Sequence, residues 1–143
     1  VALNELYKKD NSIEIILAGS DTSEYEIPFK YINFGVLDID KLSEVYSNCS
    51  LALILSFTNL SLLPLELLAS GCPVVINSGE NNSWIDKDLK MMIYTEPNVT
   101  DIVDNISNIL YGNISFDWNY IDNYLEKSSW YEESKKVYKW IQE

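Results

Sequence analysis

The side chains best suited to hold a ligand are gathered between Ser56 and Glu66. Ser56, Thr58, Asn59 and Ser61 put three hydroxyls and one amide into a short polar turn that runs straight into a helical pattern. A helix start has backbone N–H groups without intrahelical partners and the positive end of the helix dipole, so it attracts phosphate. Glu66 falls in the first turns of that helix. Helical side chains lean towards the N-terminus, which returns the carboxylate to the turn, where it can accept hydrogen bonds from two neighbouring ribose hydroxyls. A plainer explanation covers the same residues: Ser61 or Asn59 caps the helix, and Glu66 adds roughly 0.3–1 kcal/mol of dipole stabilisation. Gly19 to Ser23 and Gly35 to Asp40 are two further turns that lead out of strand-like runs.

Several chemistries are excluded. The chain has no histidine, which removes the usual base near neutral pH and the commonest metal ligand, so histidine-based triads and metal centres are not expected. The two cysteines, Cys49 and Cys72, are far apart and form neither a zinc motif nor a disulfide framework, which fits a reduced, cytoplasmic compartment. All ten cations are lysines, set against 22 acids for a formal charge of −12, so nucleic acid is not an expected partner. The longest apolar region, Leu51 to Ile76, is broken by Thr58, Asn59, Ser61, Pro64, Glu66, Ser70, Gly71 and Pro73, and does not predict a membrane span. The Asn-x-Ser/Thr triplets, among them those at Asn59 and Asn98, are ordinary for a chain rich in Asn and Ser.

The elements that must position these residues alternate regularly. At 143 residues and 47% hydrophobic content, one domain with its own core is expected over residues 1–143, closed by C-terminal helices over 117–143. A helix ending near Lys9, which reads as one cut open, precedes apolar runs at Ile13 to Ala18, Tyr31 to Phe34, Leu51 to Ser56, Pro73 to Asn77 and Met91 to Tyr94. Between them fall a helix capped by Asp38 or Asp40, with Leu42, Val45, Tyr46 and Cys49 on one face, and a helix with Leu65, Leu68 and Ala69 on one face. Gly71 stops the second, and Pro73 discourages its continuation. A helical turn near Trp84, an amphipathic helix from Val99 to Tyr111 and two tail helices follow. The last of these has Trp130, Val137, Tyr138 and Ile141 on one face and Glu132, Lys135 and Lys136 towards water. Strand and helix in alternation predict a parallel sheet with helices on both faces.

Two stretches carry a resemblance: Asn48-Cys-Ser-Leu-Ala-Leu-Ile-Leu-Ser56 and Pro64-Leu-Glu-Leu-Leu-Ala-Ser-Gly-Cys-Pro-Val-Val-Ile76. Together they resemble the signature of family 4 GT-B glycosyltransferases, and the units at Ile13 to Gly19, Tyr31 to Tyr46 and Val99 to Leu110 match in order. The resemblance implies a Rossmann-like, three-layer α/β domain, the C-terminal, donor-binding half of a GT-B enzyme without its first strand. It implies that Glu66, the second acid of a Glu-x(7)-Glu motif, binds the nucleotide ribose. Thr58 stands where the first acid, which meets the transferred sugar, would be. Asn59, Leu60, Ser61 and Leu62 would meet the diphosphate through their backbone, and Gly35, Val36 and Leu37 would border the base. The form Thr58-Asn59-x-Ser61-x-x-Pro64-Leu65-Glu66 resembles a subgroup for rhamnan-type polysaccharides, with a deoxythymidine diphosphate sugar such as dTDP-rhamnose as donor.

The same resemblance implies partners beyond this chain: an acceptor-binding N-terminal domain, and a preceding segment whose Arg and Lys hold the diphosphate. The fragment alone would then be inactive. The complete bacterial enzyme would transfer a sugar from a nucleotide-diphosphate donor to a glycan or lipid-linked acceptor without a metal, and a lipid-linked acceptor would bring it to the inner membrane face. Other readings stay open. Thr58 permits a noncatalytic interaction domain or a degenerate nucleotide-binding domain. A flavodoxin-like or receiver-like module would carry an acidic cluster after its first strand, where this chain has Ser20-Asp21-Thr22.

Overall fold

The structure, a computed structural model, describes residues 1–142 apart from 59, 60, 87 and 89. Its elements run α1 (Ala2–Lys9), β1 (Ile15–Leu17), β2 (Tyr31–Asn33), α2 (Ile39–Asn48), β3 (Ala52–Ile54), α3 (Leu63–Ala69), β4 (Val74–Asn77), α4 (Glu80–Ser83), β5 (Ile93–Thr95), α5 (Val99–Leu110), α6 (Trp118–Lys127) and α7 (Trp130–Gln142). All strand pairings are parallel, as the alternation predicts. They divide into two ladders, β1–β2 and β3–β4–β5, and among the described residues no ladder bond joins the two.

Strand alternation makes the triplet the middle of three layers. Val74 and Ile76 of β4 point to one face, where they pack with Leu67 and Leu68 of α3 and Ile121 of α6, while Tyr46 of α2 borders the cluster. Val75 points to the other, against Leu6 of α1 and Ile102, Val103 and Ile106 of α5. Every residue of β4 is buried, as its unbroken apolar run requires. β3 is only half-buried, a correction to the expectation of a fully buried strand, because it pairs on one side alone.

Helix ends follow the local chemistry. The Asp38 carboxylate accepts from Lys41 N–H at 2.9 Å and starts α2, and Asn98 does the same for α5 through Asp101 N–H. α3 ends in a Schellman motif: Cys72 N–H reaches Leu67 C=O and Gly71 N–H reaches Leu68 C=O, both at 2.9 Å, with Gly71 at φ 75°.

Three expectations change. The buried stripe of α3 is Pro64, Leu67 and Leu68, at i, i+3 and i+4, whereas Ala69, about 100° further round the helix, is exposed. The last strand begins at Ile93, two residues after the expected start, and Met91 and Met92 fill the core before it. The apolar face of α7 is open to solvent, with Trp130 at 82% and Ile141 at 72% exposure. No helix among the described residues is long and apolar enough to cross a membrane.

Candidate nucleotide-binding edge

The residues singled out by the sequence sit at the carboxyl ends of the two ladders, where parallel α/β sheets bind ligands. Gly35, Val36 and Leu37 follow β2. There Gly19 N–H donates to Gly35 C=O at 2.7 Å, and Gly35 N–H donates to Asn33 Oδ1 at 2.8 Å, so the turns after β1 and β2 are held together. Gly35 has φ 60°, a conformation in which a side chain would be strained, while Val36 projects into solvent.

Ser56, Thr58, Ser61 and Leu62, between β3 and α3, and Glu66 on α3 form the second group. Asn59 and Leu60 lie outside the described residues. Thr58, Ser61, Leu62 and Glu66 are exposed. Among the described residues no hydrogen bond joins this group to the Gly35 turn, so the sheet brings the two to corresponding ends without linking them.

The start of α3 differs from the expected row of unpaired donors. Leu63 N–H donates to Ser61 Oγ at 3.2 Å, Pro64 has no N–H, and Leu65 and Glu66 N–H both reach Leu62 C=O, at 3.0 and 3.1 Å. Ser61 therefore caps the helix, as the plainer explanation held, and the tight turn at Leu62 uses the remaining donors. The Glu66 carboxylate has no hydrogen bond or ion pair among the described residues. Burial raises the pKa of the Tyr46 phenol on α2, and the negative field of Glu66 raises it further.

A buried amide network that sequence reasoning missed holds this edge. Asn77, at 2% exposure, receives Ser56 N–H on Oδ1 at 2.7 Å and donates from Nδ2 to Ser56 C=O at 2.9 Å. Asn82 is fully buried, and its Nδ2 reaches Asn77 C=O at 2.8 Å and Ser56 C=O at 3.1 Å, while Asn81 Nδ2 adds a bond to Ser56 C=O at 3.2 Å. Three side-chain amides thus converge on the carbonyl that begins the polar turn. The signal available in the sequence was Asn77 itself, a residue poorly suited to strands at the end of an aliphatic run.

Residues 1–107 match the family described as WsaF, C-terminal domain. This chain belongs to the WsaF C-terminal domain family. The match takes in all five strands and ends within α5, so both carboxyl-end turns and α3 belong to the WsaF domain, whereas α6 and α7 follow the matched region. The chain is also similar to the O-antigen biosynthesis protein RfbC of Myxococcus xanthus, with 29% identity over an alignment of 104 residues that covers 68% of this chain. It spans 8% of that relative's length.

Proposed function

We propose that this WsaF C-terminal domain is the nucleotide-sugar-binding domain of a glycosyltransferase that works in cell-surface polysaccharide biosynthesis. The observation that carries the reading is Glu66: an exposed carboxylate with no partner among the described residues, placed behind the turn that leaves β3. A carboxylate kept free at a strand-end edge suits a sugar diol, since both oxygens can accept. Similarity to a protein named for O-antigen biosynthesis supports the polysaccharide context.

In this reading Glu66 accepts from the ribose, or from the single hydroxyl of a deoxyribose if the donor is a dTDP-sugar such as dTDP-rhamnose. The Thr58 hydroxyl meets the transferred sugar, the Asn59 to Leu62 backbone meets the diphosphate, and the Gly35 to Leu37 turn borders the base. The edge is open because a second domain supplies the opposite wall, and ligand sites commonly lie between domains. Transfer by the whole protein depends on positioning and on electrostatic stabilisation of the leaving diphosphate, with no metal. A net charge of −12 makes binding of an anionic donor by this chain alone weak, and the chain alone does not turn over.

A second reading, a degenerate nucleotide-binding or interaction domain, is favoured by the engaged N–H groups of Leu63, Leu65 and Glu66. One titration separates them. With dTDP, UDP or GDP at millimolar concentration, the amide resonances of Thr58, Ser61, Leu62 and Glu66 should shift for the transferase, and Glu66→Ala should weaken binding about tenfold. No shift with any of the three nucleotides in the protein extended through its preceding segment, or one indifferent to Glu66→Ala, rejects donor binding.

A further inference from the structure

A cleft of about 360 Å³ is lined by Trp84, Ile85, Asp86, Asp88, Tyr120 and Tyr124. Its size is within the range of small-molecule sites, roughly 300–1,000 Å³. None of its lining residues belongs to the proposed donor site, that is, to the Gly35 turn, to the Thr58 to Leu62 turn or to Glu66 on α3.

Its walls are fixed by hydrogen bonds. The two tyrosines stand one helical turn apart on α6: Tyr124 donates to Ile85 C=O at 2.8 Å and Tyr120 donates to Asp88 Oδ2 at 3.1 Å. Asp86 is buried and its carboxylate accepts the N–H groups of Lys90, Met91 and Met92, which folds the loop under the cleft. Trp84 is 53% exposed, and the ring pairs among the described residues, Tyr7–Phe29, Phe29–Tyr31 and Phe116–Trp118, leave it unstacked. Lys90 Nζ sits 5.5 Å from the centre of the Tyr120 ring.

We propose that this cleft binds a neutral saccharide unit of the glycan on which the protein works, an inference that rests on the polysaccharide reading above. A pyranose has an apolar C–H face and a rim of hydroxyls, and the cleft offers both complements. The electron-rich faces of Trp84, Tyr120 and Tyr124 take the C–H face. The Trp84 indole N–H, Asp88 Oδ1 and the Lys90 ammonium, none of them in a hydrogen bond or ion pair among the described residues, take hydroxyls. Phosphorylated ligands suit it poorly, because two carboxylates border the cleft in a chain of net charge −12.

The test is a ¹H–¹⁵N titration of the chain with L-rhamnose, D-mannose, D-galactose and their α-linked disaccharides. The indole N–H signal of Trp84 is assigned by its absence in Trp84→Phe. At least one sugar should shift that signal in a saturable way. Trp84→Ala should weaken binding about tenfold or more, and Trp84→Phe, which keeps a ring face, should weaken it less. The remaining cross-peaks report whether each variant is folded. An unmoved Trp84 indole at millimolar concentrations of every sugar, or shifts unchanged in Trp84→Ala, overturns the proposal. If nucleotides still move the Glu66 region, the donor reading survives that failure. Saccharide shifts at Trp84 without nucleotide shifts in the extended protein would uphold the cleft and reject the donor site.

Discussion

The side-chain amide of Asn77 stands opposite the backbone of Ser56 and makes both of the hydrogen bonds that a paired strand residue would make, at 2.7 and 2.9 Å. The ladder between β3 and β4 ends at the Ile54–Ile76 pair, and this amide carries the connection into the turn where a loop would otherwise separate. The geometry of Ser56, and with it the entrance to the polar turn, is thus set by a buried side chain of the neighbouring strand.

Asn77→Leu, a change of similar size, should remove both bonds while the site remains buried. The Ser56 carbonyl keeps the Asn81 and Asn82 amides, so the loss expected in urea unfolding is that of the bond from Ser56 N–H, about 1–3 kcal/mol. Unchanged stability would mean that water takes the place of the amide.

Asp86 gathers three backbone N–H groups at 2.8 to 3.2 Å. Asp86→Ala should cost about 2–4 kcal/mol by leaving the Met91 and Met92 donors buried without an acceptor, visible as a lower thermal midpoint in circular dichroism. Asp86→Asn, which keeps one acceptor oxygen, should fall between the variant and the parent.

Glu66→Gln should leave stability within about 0.5 kcal/mol, since the carboxylate is exposed and has no partner among the described residues. A clear destabilisation would assign Glu66 a structural role and remove the reason for reading it as a ligand-binding group.

Cys72 supplies a pH dependence. Burial pushes its thiol from 9.0 up to about 12, with a smaller contribution from Cys49. The unfolded chain therefore loses this proton first as pH rises. The stability this contributes is complete below about pH 9 and is lost between there and about pH 12. Folded protein at pH 8 should hold Cys72 unreactive towards thiol reagents, while the half-exposed Cys49 is modified slowly and Cys72 responds only on unfolding.

Much of the fold was legible because its signals are local. Asp38 and Gly71 mark helix ends through local capping chemistry, and the aliphatic run of β4 reads as a strand. What was not legible depends on distant partners. The engagement of the α3 donors depends on the turn at Leu62, and the role of Asn77 depends on Ser56, 21 residues away in sequence. The tyrosines of α6 take their role from Ile85 and Asp88, more than 30 residues away in sequence. Glu66 was legible as an acid near a helix start, and the structure adds that nothing among the described residues holds it.

Pulled sideways, the molecule should part between its strand pair and its strand triplet. Among the described residues no ladder bond crosses there; α1 on α5, α2 on α3, the Lys9–Asp104 ion pair and the Tyr111–Asp10 hydrogen bond join the halves, and such contacts yield more gradually than a row of backbone bonds. The Gly35 turn and the Glu66 turn ride on opposite sides of that seam. A ligand that touches both would tie the two ladders together.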